Sequence, residues 1–158
     1  MQHVYVISDT HFGHRRILEF ESAHRPFQTI EEHDRELVDR WNAVVRKDDT
    51  VWHLGDVYFG RNGHHILAYL NGTKKLVMGN HDHYPMERYQ TYFTKIAGAA
   101  EWGGALLTHI PVHDSQKRRY VKNVHGHTHS RRLDDPWYVP VSVEHTGLAP
   151  VLLRSLLT

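Results

Sequence analysis

Apolar residues are spaced along the first two thirds of the chain in alternating strand and helix periods. Residues 3–8 form a short run of β-branched and aromatic side chains that stops at Asp9, the pattern of a central buried strand. Residues 14–21 mix Ile17, Leu18 and Phe20 with charges, a short helix or turn that the breaker Pro26 follows. Thr29-Ile30-Glu31-Glu32 has the spacing of a capping box, in which Thr and the Glu three residues later satisfy the free amides of a helix start. Leu37, Val38, Trp41, Val44 and Val45 then recur at three- and four-residue intervals, one apolar stripe on a helix running to about Val45 and ended by Lys47-Asp48-Asp49. Residues 50–54 read as the second strand, with Gly55-Asp56 at its tip. Ile66, Leu67, Tyr69 and Leu70 mark a further helix closed by Asn71-Gly72. Lys75-Leu76-Val77-Met78 is the third strand, and Pro85 suits the first position of a helix striped by Met86, Tyr89, Phe93 and Ile96. This β-α-β-α-β-α order implies a mostly parallel sheet covered by helices.

From Ala99 the texture changes to short β-like runs at residues 105–108, 120–124 and 138–144, separated by Gly, Pro and charged turns. These read as strands of a second sheet. Pro150-Val151-Leu152-Leu153 and Leu156-Leu157 form an apolar tail expected to pack on the domain. No linker, repeat or low-complexity segment interrupts the 158 residues, so the whole chain, 1–158, is expected to be one domain that buries roughly two thirds of its unfolded surface.

Composition narrows the class. Apolar residues at 40% and charged residues at 23% are ordinary for a globular protein and exclude disordered and fibrous classes. The abnormal count is sixteen histidines, which points to metal chemistry or proton transfer, while zero cysteines excludes thiolate zinc sites, catalytic thiols and disulfides. The start Met1-Gln2-His3-Val4-Tyr5-Val6 lacks a secretory pattern, and no apolar run reaches the ~20 residues that span a bilayer. A cytoplasmic protein without a membrane partner is the expectation. The formal charge of +1 does not by itself point to nucleic acid.

The chemistry lies in five clusters at the ends of expected strands: Asp9-Thr10-His11, Gly55-Asp56, Gly79-Asn80-His81-Asp82, Thr108-His109 and Gly126-His127-Thr128-His129. In an extended chain residues two apart point the same way, so Asp9 and His11 can face one ion, and His127 and His129 repeat that spacing. Asn, His and Asp together offer a neutral oxygen, an imidazole and a carboxylate, a set that binds metal and moves protons, while glycine permits the turn. A single such tetrapeptide is no more than a polar turn, and a turn Asp beside a surface His is commonplace. Five in register at strand ends are hard to explain as turns.

Taken in order, the clusters resemble the signature of the calcineurin-like metallophosphoesterases, D-x-H, G-D, G-N-H-D/E, H and G-H-x-H, from Asp9 to His129. The phrase Ile7-Ser8-Asp9-Thr10-His11-Phe12-Gly13-His14 looks most like the small capless bacterial and phage members. The resemblance implies an α/β fold, a two-sheet α-β-β-α sandwich with the metal site at the strand ends. It implies ligands Asp9, His11, Asp56 and His129 on one divalent ion and Asp56, Asn80, His109 and His127 on a second, with Asp56 as the bridge. Such oxygen and nitrogen donors suit manganese first, and Fe, Zn, Co or Ni as alternatives. Two ions, two carboxylates and a bridging hydroxide leave the cluster with one positive charge, which welcomes a phosphate oxyanion. Ions about 3.5–4 Å apart hold the attacking hydroxide and polarise the phosphoryl oxygen for in-line displacement. His81, off the metals, would stabilise or protonate the leaving group, with Asp82 orienting its ring.

The activity so implied is hydrolysis of a phosphodiester or nucleotide-type phosphate ester. A broad phosphomonoesterase and a non-catalytic scaffold on the same fold are the alternatives; all seven ligand positions are filled with suitable residues, which disfavours the scaffold. Among the other histidines, His14 either faces substrate phosphate or lies on a helix surface. His125 is either an outer support of the site or strand packing, and His113 is a candidate for the cleft. His3, His24, His33, His53, His64, His65, His83 and His145 carry no usable spacing. Members of the wider family often have a polar residue three positions after the bridging Asp; here it is Phe59, and Tyr58-Phe59 is either a wall for a base or aromatic leaving group or core packing. Lys117-Arg118-Arg119, Lys122 and Arg131-Arg132 are basic clusters near His109 and His129 in sequence. Such runs are usually solvated faces. Arg118, Arg119, Arg131 and Arg132 are the candidates for extra phosphate contacts to a nucleotide or nucleic-acid end. No homo-oligomer is argued.

Overall fold

A computed structural model describes residues 2–158. In chain order the elements are β1 (Val4–Ile7), α1 (Ile17–Phe20), α2 (Ile30–Val44), β2 (Thr50–His53), a 3₁₀ helix (Gly63–Tyr69), β3 (Thr73–Val77), α3 (Met86–Gln90) and β4 (Phe93–Ala97). There follow β5 (Ala100–Trp102), β6 (Ala105–Thr108), a 3₁₀ helix (Asp114–Arg118), β7 (Asn123–His125), β8 (Tyr138–Pro140), α4 (Val143–Thr146), β9 (Val151–Leu152) and a last 3₁₀ turn (Leu153–Leu156). One sheet has the order β4-β3-β2-β1-β9 and the other β5-β6-β7-β8. Strands β1 to β4 run parallel, as do β6 to β8; β9 and β5 are antiparallel edges.

Strand alternation divides the apolar residues into two cores. Val6, Trp52, Leu54 and Val77 face Ala105, Leu107, Val124 and Val141 across the gap between the sheets, while Tyr5, Ile7, Val51 and Leu76 on the opposite face pack on Leu37, Trp41, Val45 and Tyr89. Helix α2 starts at the anticipated capping box: the Glu32 amide donates to Thr29 Oγ1 at 3.2 Å, and the Thr29 amide donates to Glu32 Oε2 at 3.4 Å. Its buried face is Ile30, His33, Leu37 and Trp41; Val44, assigned to the stripe from spacing, is 40% exposed.

Other elements differ from the sequence reading. The segment carrying Ile66 and Tyr69 is a 3₁₀ helix that buries only Leu67 and leaves Tyr69 71% exposed. Helix α3 ends at Gln90, and Phe93 and Ile96 belong to β4, pairing with Lys74 and Leu76 of β3. Four apolar residues fit either period, and pairing the open edge of β3 decides for the strand. The tail likewise becomes β9, which covers the other edge of β1 with Tyr5 opposite Leu152. Residues 138–144 split into β8 and the start of α4, because the chain crosses at residues 141–143 to Ser8: Val141 O accepts from the Ser8 amide and Ser8 O accepts from the Val143 amide.

The fourth layer is thin. Asn123 and Tyr138 point outward from the second sheet and bond the backbone of Val112, so residues 109–122, with one short 3₁₀ helix, lie where a packed helix would complete the sandwich. No helix among the described residues is long and apolar enough to cross a membrane. All five clusters meet where the parallel strands of both sheets end.

Candidate metal centre

Left-handed backbone is concentrated here. Asp9, His11, Asp56, His127 and His129 have φ of 57°, 51°, 56°, 68° and 49°; among the described non-glycine residues only Leu148 joins them. The extended-chain argument for the D-x-H and H-x-H pairs is therefore corrected: left-handed turns, not a strand pleat, aim these side chains together. Such residues persist only when their surroundings over-determine them. The surroundings do so here, with Asp9 N donating to Gly55 O at 3.0 Å, His11 N to Asp56 O at 3.1 Å and His127 N to Asp9 Oδ2 at 3.0 Å. Two motif glycines are needed for space. A Cβ on Gly126 would collide with Ser8 Oγ and Asp9 Oδ2, and one on Gly79 with the amide and carboxylate of Asp56.

All seven expected ligands are tied together by side-chain distances. His11 Nε2 and His129 Nε2 each lie 3.8 Å from Asp9 Oδ1, and Asp56 Oδ2 lies 3.6 Å from His11 Nε2 and 3.4 Å from His109 Nε2. Asn80 Oδ1 is 2.9 Å from His109 Nε2 and 3.0 Å from His127 Nδ1, which brings in the seventh. Separations of 3.4–3.8 Å are long for a hydrogen bond and suit two donors each about 2.1 Å from a shared cation. Asp9 Oδ1 and His11 Nε2 are fully buried without a hydrogen-bond partner, a costly state for a carboxylate and an imidazole that a cation would relieve. Asp9, His11 and His129, and separately Asp9, Asp56 and His109, converge closely enough to hold an ion. The donor set fits a divalent metal.

The remaining atoms of these side chains are held from behind. Asp9 Oδ2 accepts from Ser142 Oγ at 2.9 Å, Asp56 Oδ1 from His81 N at 3.0 Å, and His109 Nδ1 donates to Leu54 O at 2.7 Å, so that Nε2 is the ring atom turned toward Asp56 and Asn80. Burial opposes ionisation of Asp9, but the neighbouring imidazoles of His11, His109 and His129 hold its carboxyl far below the usual range. Asp56 is likewise buried and likewise lowered, chiefly by the bond to His109. Burial would depress His109, yet Asp56 and Asp9 push it up to about 9. Burial lowers His11 and His127 at the same time, so the raised histidines beside the carboxylates are His109 and His129.

Several expected roles change. Both oxygens of buried Asp82 are occupied: Oδ2 accepts from the amides of Asp56 and Gly79, each at 2.8 Å, and Oδ1 from Val57 N at 3.0 Å and Tyr89 Oη at 3.5 Å. The His81 ring is not among its partners, so Asp82 shapes the loop that carries Asp56 and does not orient His81. The His81 ring is exposed at the mouth, 6.1 Å edge-on from His11 and 5.3 Å from Phe59. His14 bonds His11, Nδ1 to Nδ1 at 3.0 Å, and stacks on Phe59 at 4.0 Å; it supports a ligand from the side. Phe59 also covers His11 at 5.0 Å, whereas Tyr58 is core. His125 lies on the outer face, edge-on to Tyr138, and His113 caps the nearby 3₁₀ helix by accepting from Ser115 N.

The basic clusters separate. Arg131 lines a cavity of about 360 Å³ together with Glu21, His127, Thr128 and His129. Arg119 pairs with Glu101 of β5, Lys117 with Asp135 and Lys122 with Pro136 O, all away from the strand ends that carry the ligands. Arg118 sits among them, and Arg132 is exposed near His145.

Four contributors were not legible as such. His53 is wholly buried; its Nδ1 accepts from Gly55 N at 3.1 Å and its Nε2 meets Thr10 Oγ1 at 2.9 Å, joining two ligand loops. His33, Arg25 and Glu144 form a buried chain ending at His129. The spacing of His33 from Ile30 and Leu37 does place it on the buried face of α2; nothing around Arg25 or Glu144 marks them.

The calcineurin-like phosphoesterase family profile matches residues 2–149. The uncharacterized protein MJ1445 of Methanocaldococcus jannaschii is 35% identical, over 97% of this chain and 88% of its own length. The gene 66 protein of Mycobacterium phage L5 is 34% identical over 82% of this chain and 79% of its own. Among solved structures, the protein AQ665 of Aquifex aeolicus, of unknown function, superposes with a TM-score of 0.82 at 27% identity, covering 99% of this chain and 98% of that one. With its five clusters converged on one buried donor set, this chain belongs to the calcineurin-like phosphoesterase family.

Proposed function

We propose that the protein hydrolyses a phosphodiester or nucleotide-type phosphate ester using two divalent ions, manganese foremost. One observation carries the two-ion reading: a single carboxylate oxygen, Asp56 Oδ2, lies between His11 Nε2 at 3.6 Å and His109 Nε2 at 3.4 Å. Asp9, His11 and His129 would hold the ion on one side, and Asn80, His109 and His127 the ion on the other. When bound, divalent ions supply a water nucleophile at neutral pH and polarise phosphoryl oxygens.

The chain's own residues do the rest. His81, fixed through its backbone N–H on Asp56 Oδ1 and exposed beside His11, is the group that gives a proton to the departing oxygen. Phe59 walls the same side and offers an aromatic face to a base or aryl group. Arg131 lines the cavity next to His127 and His129 and meets a further phosphate oxygen. The mouth is open, which suits a diester with groups on both sides of the phosphorus. Turnover of bis-p-nitrophenyl phosphate with Mn, Ni, Co or Zn, followed by a screen of nucleotides, cyclic nucleotides, dinucleotides and nucleic-acid ends, tests the reading. Absence of turnover with every metal would favour the scaffold, and hydrolysis confined to monoesters would replace the diesterase with a monoesterase.

A further inference from the structure

Arg25 is wholly buried, and all five of its N–H groups are used within this region. Nε donates to Glu144 Oε1 at 2.8 Å, and Nη2 donates to Glu144 Oε1 and to Asp9 O, each at 2.6 Å. Nη1 donates to Thr10 O at 3.0 Å and to His33 Nε2 at 3.1 Å. His33 can accept at Nε2 only with its proton on Nδ1, which donates to Asp34 Oδ1 at 2.8 Å, and Asp34 Oδ2 takes the Gly13 amide. The guanidinium is therefore fixed in place and in turn fixes Glu144. That carboxylate has no exposed side-chain surface, and its Oε1 lies 3.1 Å from His129 Nδ1. A carboxylate there demands a proton on Nδ1, which leaves Nε2 as the lone pair, aimed toward Asp9 Oδ1 at 3.8 Å.

We propose that Glu144, anchored by Arg25, is a positioning residue that selects the Nδ1–H form of His129 and so governs ion binding in the Asp9–His11–His129 half of the site, leaving the Asp56–Asn80–His109–His127 half unchanged. The proposal rests on the two-ion reading above. Glu21 also comes within reach of Glu144 and His129, and the positive charge at Glu144 Oε1 comes from Arg25. Carboxylate partners of ligating histidines typically change metal affinity 10–100-fold when removed.

The test uses the full chain with Mn²⁺ as probe: calorimetric titration and elemental analysis of bound metal for wild type, Glu144→Gln, Glu144→Ala and Arg25→Lys. Long-range ¹H–¹⁵N spectra of the chelator-treated, metal-free proteins report the His129 tautomer. Expected are two ions in the wild type, about 10–100-fold weaker binding of one ion with the other unchanged in Glu144→Ala, and a smaller loss in Arg25→Lys. Glu144→Gln keeps an oxygen acceptor and should recover most of the lost affinity; it is also the variant to read if Glu144→Ala fails to fold. Equal weakening of both ions, no weakening, or an unchanged His129 tautomer in Glu144→Ala would overturn the proposal. A wild type that binds fewer than two ions would instead overturn the two-ion reading beneath it.

Discussion

Replacing Asp82 by asparagine should weaken the loop that carries Asp56 and leave no signature specific to the leaving group. The carboxylate accepts three buried amides, from Asp56, Gly79 and Val57, with the Tyr89 hydroxyl at the edge of reach. An asparagine oxygen can keep the two bonds now made by Oδ2, at reduced strength without the charge, while its NH₂ group is turned against the Val57 amide. Two bonds weakened by about 1 kcal/mol each and one buried donor left unsatisfied at about 1–3 kcal/mol give a loss of roughly 3–5 kcal/mol. Alanine loses all three acceptors and should approach the whole folding margin of about 5–15 kcal/mol. In urea, with a slope of about 2 kcal/mol/M, Asp82→Asn should lower the midpoint by roughly 1.5–2.5 M in chelator-treated protein. Because Asp56 moves with the loop, metal content should fall, and activity on p-nitrophenyl and alkyl esters should fall by the same factor. Wild-type stability combined with a loss confined to poor leaving groups would refute this and return Asp82 to orienting His81.

His81→Ala should retain bound metal, because its contact to Asp56 is through the backbone amide, and should lose roughly 100-fold or more on alkyl or nucleoside esters while keeping much of its activity on p-nitrophenyl esters; a uniform loss, or loss of metal, would make it structural. Asp56→Ala should lower metal content as well as activity, measured by elemental analysis, since its Oδ2 faces ligands of both halves; full occupancy in that variant would sink the bridging assignment. Arg131→Gln should raise KM for multiply charged substrates more than for an aryl phosphate, whereas Arg118→Gln and Arg119→Gln should do neither, and equal effects from all three would contradict the separation seen here. His53, lowered by burial from 6.5 to about 3, stays neutral in the fold while the unfolded chain takes up a proton, so stability is lost as pH falls between those values, by a few kcal/mol at most. His53→Gln should flatten that acid limb in urea titrations at several pH values, and an unchanged limb would assign it to other groups.

Where the sequence was informative, one physical rule governed the outcome. Strands β1, β2, β3 and β6 were readable because a buried strand needs an unbroken apolar run, and α2 because its capping box and stripe agree. Short elements were decided by neighbours: β4 and β9 exist because β3 and β1 had open edges, and Phe93 or Leu152 alone carries no sign of that. The seven candidate ligand positions stood out in the sequence as ordered clusters, because polar groups at strand ends have few competing explanations. Arg25 and Glu144 were not, since 119 residues separate them and neither belongs to a local pattern. Asp82 was legible as a site residue but not by role, because the same carboxylate serves equally to orient a ring or to gather three amides.

The backbone explains why the ligand positions need so large a supporting set. Five non-glycine residues in the left-handed region cost on the order of 1 kcal/mol or more each, a sum comparable to the stability of a whole domain. Glycine would remove that cost at each position but would also remove the ligand. The chain instead places glycine one residue earlier at Gly55 and Gly126, where a Cβ would strike the neighbouring loop, and leaves the strained turn to Asp56 and His127. The strain is then offset from outside: Asp82 gathers the amides around Asp56, His53 pins Thr10 and Gly55, and Arg25 holds the carbonyls of Asp9 and Thr10 on either side of the first turn. Each of these three is buried and polar, and each has all of its polar side-chain atoms hydrogen-bonded. Their burial therefore follows from the geometry of the ligands they hold, and a substitution at any of them should disturb the metal site before it disturbs the apolar core.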